Sequence, residues 1–216
     1  MKYLLFDLDG TLTEPKAGIT KSIQYALKCS NIIIDDPDVL AEHIGPPLKD
    51  VFMGSYGLEE EDADKAIIYY REYFEEYGMY DNEVYKGIER LLQKLRDEEK
   101  IMIVATSKPE KFARMILEHF SLAEYFEDIC GATMDGSRSK KEDVIRYALT
   151  KNGISDAAQA VMIGDRMYDI VGAKQVGLIS IGVLYGYGSR NEIEEAQADY
   201  IVGTTMELYD TIMGLG

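Results

Sequence analysis

Cysteine is scarce in this chain: Cys29 and Cys130 stand far apart, with no CxxC spacing. That excludes a disulfide framework and predicts two free thiols in a reducing compartment. Long apolar runs are missing too. The longest mostly apolar stretch, Gly177 to Gly188, is too short to span a bilayer. The apolar start, Met1-Lys2-Tyr3-Leu4-Leu5-Phe6-Asp7, is far too short for a signal peptide. Basic residues are outnumbered, 23 against 39 acidic, for a formal net charge of −16. A body this acidic repels nucleic acid and anionic lipid, so neither is expected as a partner. No internal repeat and no low-complexity tract interrupts the sequence. These absences predict a soluble, cytoplasmic protein.

The 216 residues contain 46% hydrophobic and 29% charged side chains, enough apolar mass for a real core. Short apolar runs alternate with helical patterns. Strands are expected at Tyr3–Leu8, Ile101–Ala105, Asp128–Gly131, Ala160–Ile163, Leu178–Val183 and Asp199–Val202, each apolar on both faces as in a covered parallel sheet. Between them, Ile88, Leu91, Leu92 and Leu95 form one helical stripe. Phe112, Met115 and Ile116 form a second; Val144, Ile145, Ala148 and Leu149 form a third. The rhythm predicts a doubly wound α/β domain with a parallel sheet.

From about Glu14 to Asp81 the rhythm stops and only helical stripes remain. Ile19, Ile23, Ala26 and Leu27 share a face. Asp36-Pro37 reads as an N-cap followed by proline at the first helical position, with Leu48, Val51 and Phe52 further on. The strongest stripe is Ala63, Ala66, Ile67, Tyr70, Phe74 and Tyr77. The segment is too long for a loop. It predicts an inserted helical cap domain at 14–83, with residues 1–13 and 84–216 forming the α/β core.

Four ordered signals carry chemistry. Asp7-Leu8-Asp9-Gly10-Thr11 closes the first strand, and residues two apart in an extended chain point the same way, so both carboxylates face one site. Gly164-Asp165-Arg166-Met167-Tyr168-Asp169 adds a third carboxylate at a strand end and a fourth on the opening turn of a helix. Each acid alone reads equally as a turn residue or a helix cap. Four of them converging at one sheet edge would repel strongly, and bound Mg²⁺ is the economical relief. Thr106-Ser107-Lys108-Pro109 follows another strand; its hydroxyls and backbone N–H groups suit a phosphate oxygen, and Pro109 is expected at the first helical position. Lys141 shares the inward face of Val144 and Ile145, whereas Lys140 is expected to be solvated.

Together these parts fit the hydrolysis of a phosphate monoester through an aspartyl-phosphate. Asp7 is the expected nucleophile, and Asp9 the group that protonates the leaving oxygen and later activates water. Mg²⁺, Lys141 and Thr106 would neutralise the phosphoryl oxygens.

On these four motifs, in this order and over essentially the whole chain, the sequence resembles the haloacid dehalogenase (HAD) superfamily of phosphohydrolases, which have a Rossmann-like core. The resemblance implies a Mg²⁺-dependent phosphatase with Asp7, the backbone carbonyl of Asp9 and Asp165 on the metal, and Asp169 as a supporting acid. A helical insertion after the first motif is similar to the caps of phosphoglycolate phosphatases, pyrophosphatases, nucleotidases and β-phosphoglucomutase. Ile44-Gly45-Pro46-Pro47-Leu48, Ala105–Pro109 and Gly182–Gly188 resemble the phosphoglycolate phosphatase-like members most. Many relatives place proline after the motif lysine; here Glu142 follows Lys141, which leaves Lys140 as a second choice.

The implied substrate is a small phosphorylated metabolite. Gly45, Pro46 and Ser107 are candidate substrate contacts. Arg71 is another, or else a solvent-facing arginine paired to nearby glutamates. His43 and His119 read as ordinary helix residues. A phosphomutase would use the same aspartate pair, and a phospho-acceptor signalling module also gathers aspartates, threonine, lysine and Mg²⁺ on such a sheet. A cap and a nucleophile on the first strand suit the signalling module poorly. Monomer and homodimer are both compatible with the sequence.

Overall fold

The computed structural model describes residues 1–215. The chain opens with β1 (Tyr3–Phe6) and β2 (Thr13–Glu14). It continues through α1 (Lys16–Cys29), a 3₁₀ helix (Pro37–His43), α2 (Leu48–Gly54), α3 (Glu60–Tyr73) and a π-helical turn (Phe74–Gly78), and returns through β3 (Glu83–Val84). Strands and helices then alternate: α4 (Ile88–Asp97), β4 (Ile101–Pro109), α5 (Glu110–His119), β5 (Asp128–Ala132), α6 (Lys141–Lys151) and β6 (Ala160–Gly164). The last elements are α7 (Met167–Val176), β7 (Ile179–Val183), α8 (Arg190–Glu195), β8 (Tyr200–Val202) and α9 (Thr205–Gly214). Two compact units result: Met1–Glu14 with the chain from Val84 onward, and Pro15–Glu83.

The first unit holds a six-stranded sheet in the order β5-β4-β1-β6-β7-β8, with every paired neighbour parallel. This is the expected doubly wound α/β architecture. Chain progression reverses direction on either side of β1, the arrangement that opens a crevice beyond the strands' carboxyl ends. Register brings those ends together, since Phe6 pairs with Val104 on one side and Ile163 on the other. One face of the sheet, including Leu5, Ile103, Ala105, Cys130 and Met162, packs on Val144, Ile145 and Ala148 of α6 and Ala173 of α7. Leu4 and Phe6 point to the opposite face and are fully buried.

Several boundaries differ from the sequence reading. β1 stops at Phe6, because Gly10 takes a left-handed φ of 81° and Leu12 N–H donates back to the Leu8 carbonyl, closing a turn. β4 runs on to Pro109, with a register shift between Thr106 and Pro109 against β5, so Pro109 precedes α5 and is not its first residue. Asp36 does cap Pro37, accepting from Asp38 N–H at 2.9 Å, but the helix it starts is a short 3₁₀ helix separate from α2.

In the helical unit, Ala63, Ala66, Tyr70 and Phe74 are buried as their stripe predicts, whereas Tyr77 is 59% exposed. The π-helical turn is the cause: its wider winding brings Gly78 inward where α-helical spacing would bring Tyr77. Tyr77 instead packs at a tilt against Tyr73, ring centroids 5.2 Å apart. Cys29 and Cys130 are both free thiols. Among the described residues, no helix is long and apolar enough to cross a membrane.

Candidate active site

Asp7 sits one residue beyond β1, where its N–H donates to the Ile163 carbonyl at 2.9 Å. Its Oδ1 accepts from Leu8 N–H at 2.7 Å and lies 3.0 Å from Lys141 Nζ, so two contacts hold that oxygen. Lys141 opens α6 with its side chain 3% exposed. Its ammonium also lies 2.8 Å from Asp169 Oδ1 and donates to the Ala105 carbonyl at 3.1 Å. Lys140, one residue earlier, is exposed.

Asp165 follows β6 and is fully buried. Its Oδ2 accepts from Tyr187 N–H at 2.8 Å and its Oδ1 from the Thr11 hydroxyl at 3.3 Å. Asp169, on the first turn of α7, accepts from Arg166 N–H at 3.1 Å. Oxygens of Asp7, Asp165 and Asp169 lie within 4.8 Å of one another. Thr106 is buried at the bend of β4, its hydroxyl oxygen accepting from Lys108 N–H at 3.2 Å, with Ser107 partly buried beside it.

Asp9 takes a different partner. The turn that ends β1 sends its Oδ2 to Lys108 Nζ, 2.7 Å away, and the Lys108 side chain is only 6% exposed. Its Oδ1 is buried without a hydrogen-bond partner among the described residues. The two carboxylates of the first motif are therefore held by two different lysines. It is Asp169, and not the Asp9 carboxylate, that completes the acidic cluster. Gly45, Pro46 and Arg71 belong to the helical unit: Gly45 is exposed with a φ of 111°, Pro46 is partly buried in the same turn, and Arg71 is partly buried near the end of α3. His43 is buried there, its Nε2 2.9 Å from the Tyr56 hydroxyl.

Sequence reasoning assigned no chemistry to Lys108 or Tyr187. Lys108 was visible as the first cation after Thr106. Its partner, however, lies 99 positions away in the chain, beyond the reach of any local periodicity.

Burial, reinforced by Asp169 and Asp7, raises the Asp165 pKa well above the ordinary carboxylate range. Burial likewise lifts Asp169 to about 6 against the pull of Lys141, and lifts Asp9 against that of Lys108. Burial opposes the Lys141 ammonium as well, but Asp169 and Asp7 outweigh it and raise its pKa. Asp7, Asp165 and Asp169 bring their oxygens together around one bridging ammonium, Lys141, so the acids outnumber the cation that faces them. A buried, all-oxygen cluster of this kind fits one hard divalent cation, whose charge would favour the ionised carboxylates. The surroundings are shaped for close approach too, because a Cβ on Gly10 or on Gly186 would collide with the Asp165 carboxylate.

The family model for haloacid dehalogenase-like hydrolases matches residues 4–183. The chain belongs to this family. Within it, a 5′-nucleotidase of Pseudomonas aeruginosa is 46% identical over 90% of this chain and 87% of its own length. A tyrosine-protein kinase, PtkA, of Mycobacterium tuberculosis is 37% identical over 92% of this chain and 67% of its own. A phosphoglycolate phosphatase of Vibrio parahaemolyticus is 24% identical over 98% and 96%. A crystal structure from Clostridium acetobutylicum, described as a predicted phosphatase, superposes with a TM-score of 0.96 at 51% identity, covering 99% of this chain and 98% of that one. The HAD-like chain is accordingly a phosphohydrolase.

Proposed function

We propose that this HAD-like protein is a Mg²⁺-dependent phosphomonoesterase that works through an aspartyl-phosphate on Asp7. The observation that carries this is the Lys141 ammonium, 3.0 Å from Asp7 and 2.8 Å from Asp169 within one buried acidic cluster. An Asp7 oxygen forms a bond to phosphorus while the ester P–O bond breaks, and Asp9 gives a proton to the departing oxygen. Asp9, now a carboxylate, takes a proton from water as that water's oxygen bonds to phosphorus and Asp7 leaves, which releases phosphate. Lys141 and the Thr106 hydroxyl hold phosphoryl oxygens; Ser107 lies next to Thr106 and extends the same cradle. Lys108 keeps the Asp9 carboxyl in place between the two steps. Asp7, Asp165 and the backbone carbonyl of Asp9 would hold Mg²⁺, with Asp169 in support. The cation, when bound, neutralises charge on the transferring phosphoryl group.

The substrate is a small phosphate monoester. Phosphoglycolate is the ester to which the cap and strand-end motifs point. A nucleoside 5′-monophosphate is the substrate class named for the 46% identical relative. Gly45, Pro46 and Arg71 of the cap are the proposed contacts to the leaving group.

The test is phosphate release from phosphoglycolate, nucleoside 5′-monophosphates, pyrophosphate and sugar phosphates, with Mg²⁺, with chelator, and with Asp7→Asn. Release from one or two esters that vanishes with chelator and in the variant is the expected result. Full activity of Asp7→Asn overturns the mechanism. A phosphoenzyme persisting for hours favours a phospho-acceptor role, and transfer to a sugar hydroxyl a phosphomutase.

A further inference from the structure

The acidic cluster is braced by a group of tyrosines to which the chemistry above gives no part. Tyr187 touches Asp165 through its backbone, donating its N–H to Oδ2 at 2.8 Å. Its phenol O–H reaches the other way and donates to Glu14 Oε1 at 2.6 Å. The second Asp165 oxygen is held from the Glu14 side, by the Thr11 hydroxyl at 3.3 Å. Thr11 is itself tied back to the first loop, because the Tyr185 O–H donates to its carbonyl at 3.2 Å. Two segments, 10–14 and 185–188, therefore each hold one oxygen of Asp165 and are cross-linked by two tyrosine hydroxyls. Tyr85 packs edge-on against Tyr185, ring centroids 5.2 Å apart, and donates its N–H to the Leu12 carbonyl at 3.1 Å. Burial raises the pKa of both Tyr185 and Tyr187, so both remain hydroxyl donors at any working pH.

We propose that Tyr187 is a positioning residue for Asp165, acting through its hydroxyl bond to Glu14 to fix the direction in which Asp165 presents its oxygens to a divalent cation. This rests on the cation site proposed above. The bond from a neutral donor to a carboxylate acceptor is of the strong, charge-assisted kind. Its loss leaves the backbone N–H of Tyr187 on a loop tied to segment 10–14 by one tyrosine hydroxyl, that of Tyr185, in place of two. Asp7, Thr106 and Lys141 keep all their contacts. The defect is therefore expected in cation affinity and not in the rate at cation saturation.

The decisive measurement is Mn²⁺ binding to the full chain, followed by the electron paramagnetic resonance signal of free Mn²⁺. Tyr187→Phe and Glu14→Ala are each expected to weaken binding about tenfold, the worth of one charge-assisted hydrogen bond. The double variant should be no weaker than either single one, because both remove the same bond. Glu14→Gln, which keeps an acceptor oxygen but not its charge, should fall between the wild type and Glu14→Ala. In turnover, the Mg²⁺ concentration at half-maximal rate should rise by the same factor while kcat at saturating Mg²⁺ holds. Asp165→Asn separates the two levels of the argument. If it abolishes Mn²⁺ binding while Tyr187→Phe binds within twofold of wild type, the positioning role is overturned and the cation site stands. If Asp165→Asn binds Mn²⁺ as well as wild type, the cation site itself falls.

Discussion

Lys108 Nζ stands 2.7 Å from Asp9 Oδ2, and both side chains are largely withdrawn from solvent. The pair joins the turn after β1 to the bend of β4, so the carboxyl proposed to move protons is gripped by a neighbouring strand and not by its own loop.

Replacing Lys108 by Met should lower kcat by about 10²-fold, the low end of what a misplaced acid–base group costs. In kcat/KM, which reports the first transfer, the loss should be largest for alkyl esters and small for p-nitrophenyl phosphate, whose leaving oxygen needs no proton. Equal losses in kcat/KM across both substrates would show that Lys108 serves something other than the leaving-group proton of Asp9.

Lys141→Met removes the ammonium that bridges Asp7 and Asp169 and leaves two buried carboxylates without it. Metal-free protein should lose about 3 kcal/mol of unfolding free energy, as broken buried ion pairs do, together with phosphate release. Lys140→Met should leave both unchanged, since that side chain is exposed. Urea denaturation and a phosphate assay on the two variants decide which lysine belongs to the site.

Divalent cation should stabilise the fold, because the cluster exists only in the folded chain. At a hundredfold excess over its Kd the gain is about 2.7 kcal/mol. For a chain of this length, that is a Tm rise of about 5–10 °C. Calorimetry with Mg²⁺ against chelator measures it, and Asp165→Asn should remove most of the difference.

Gly10→Ala places a methyl group against the Asp165 carboxylate and forces a non-glycine residue to a φ of 81°. The expected outcome is a folded protein whose Mg²⁺ requirement rises at least tenfold, read from the cation dependence of turnover. Unchanged cation dependence would mean that the turn relaxes freely around the added carbon.

The strand-and-helix order of the α/β unit was legible because apolar runs and helical stripes are local signals, and the cluster positions followed from carboxylates at strand ends. Lys141 was legible for the same reason, through its spacing to Val144 and Ile145. The misreadings share one cause, a local rule broken by a neighbour or a winding that the sequence pattern does not carry. Tyr77 followed an α-helical stripe across a turn that winds as a π-helix. Pro109 was read as the start of a helix, whereas β4 carries through it to pair with β5. Lys108 and Tyr187 act on partners far away in the chain, where periodicity says nothing.

Gly10 and Gly186 approach Asp165 so closely that neither leaves room for one more carbon atom. Every missense change of a glycine codon installs at least that carbon. The two positions contribute no functional group to the reaction, yet genetic drift has no conservative exit from either. Their tolerance to substitution should fall well below that of ordinary turn glycines, and a mutational scan scored only for side-chain chemistry would miss why.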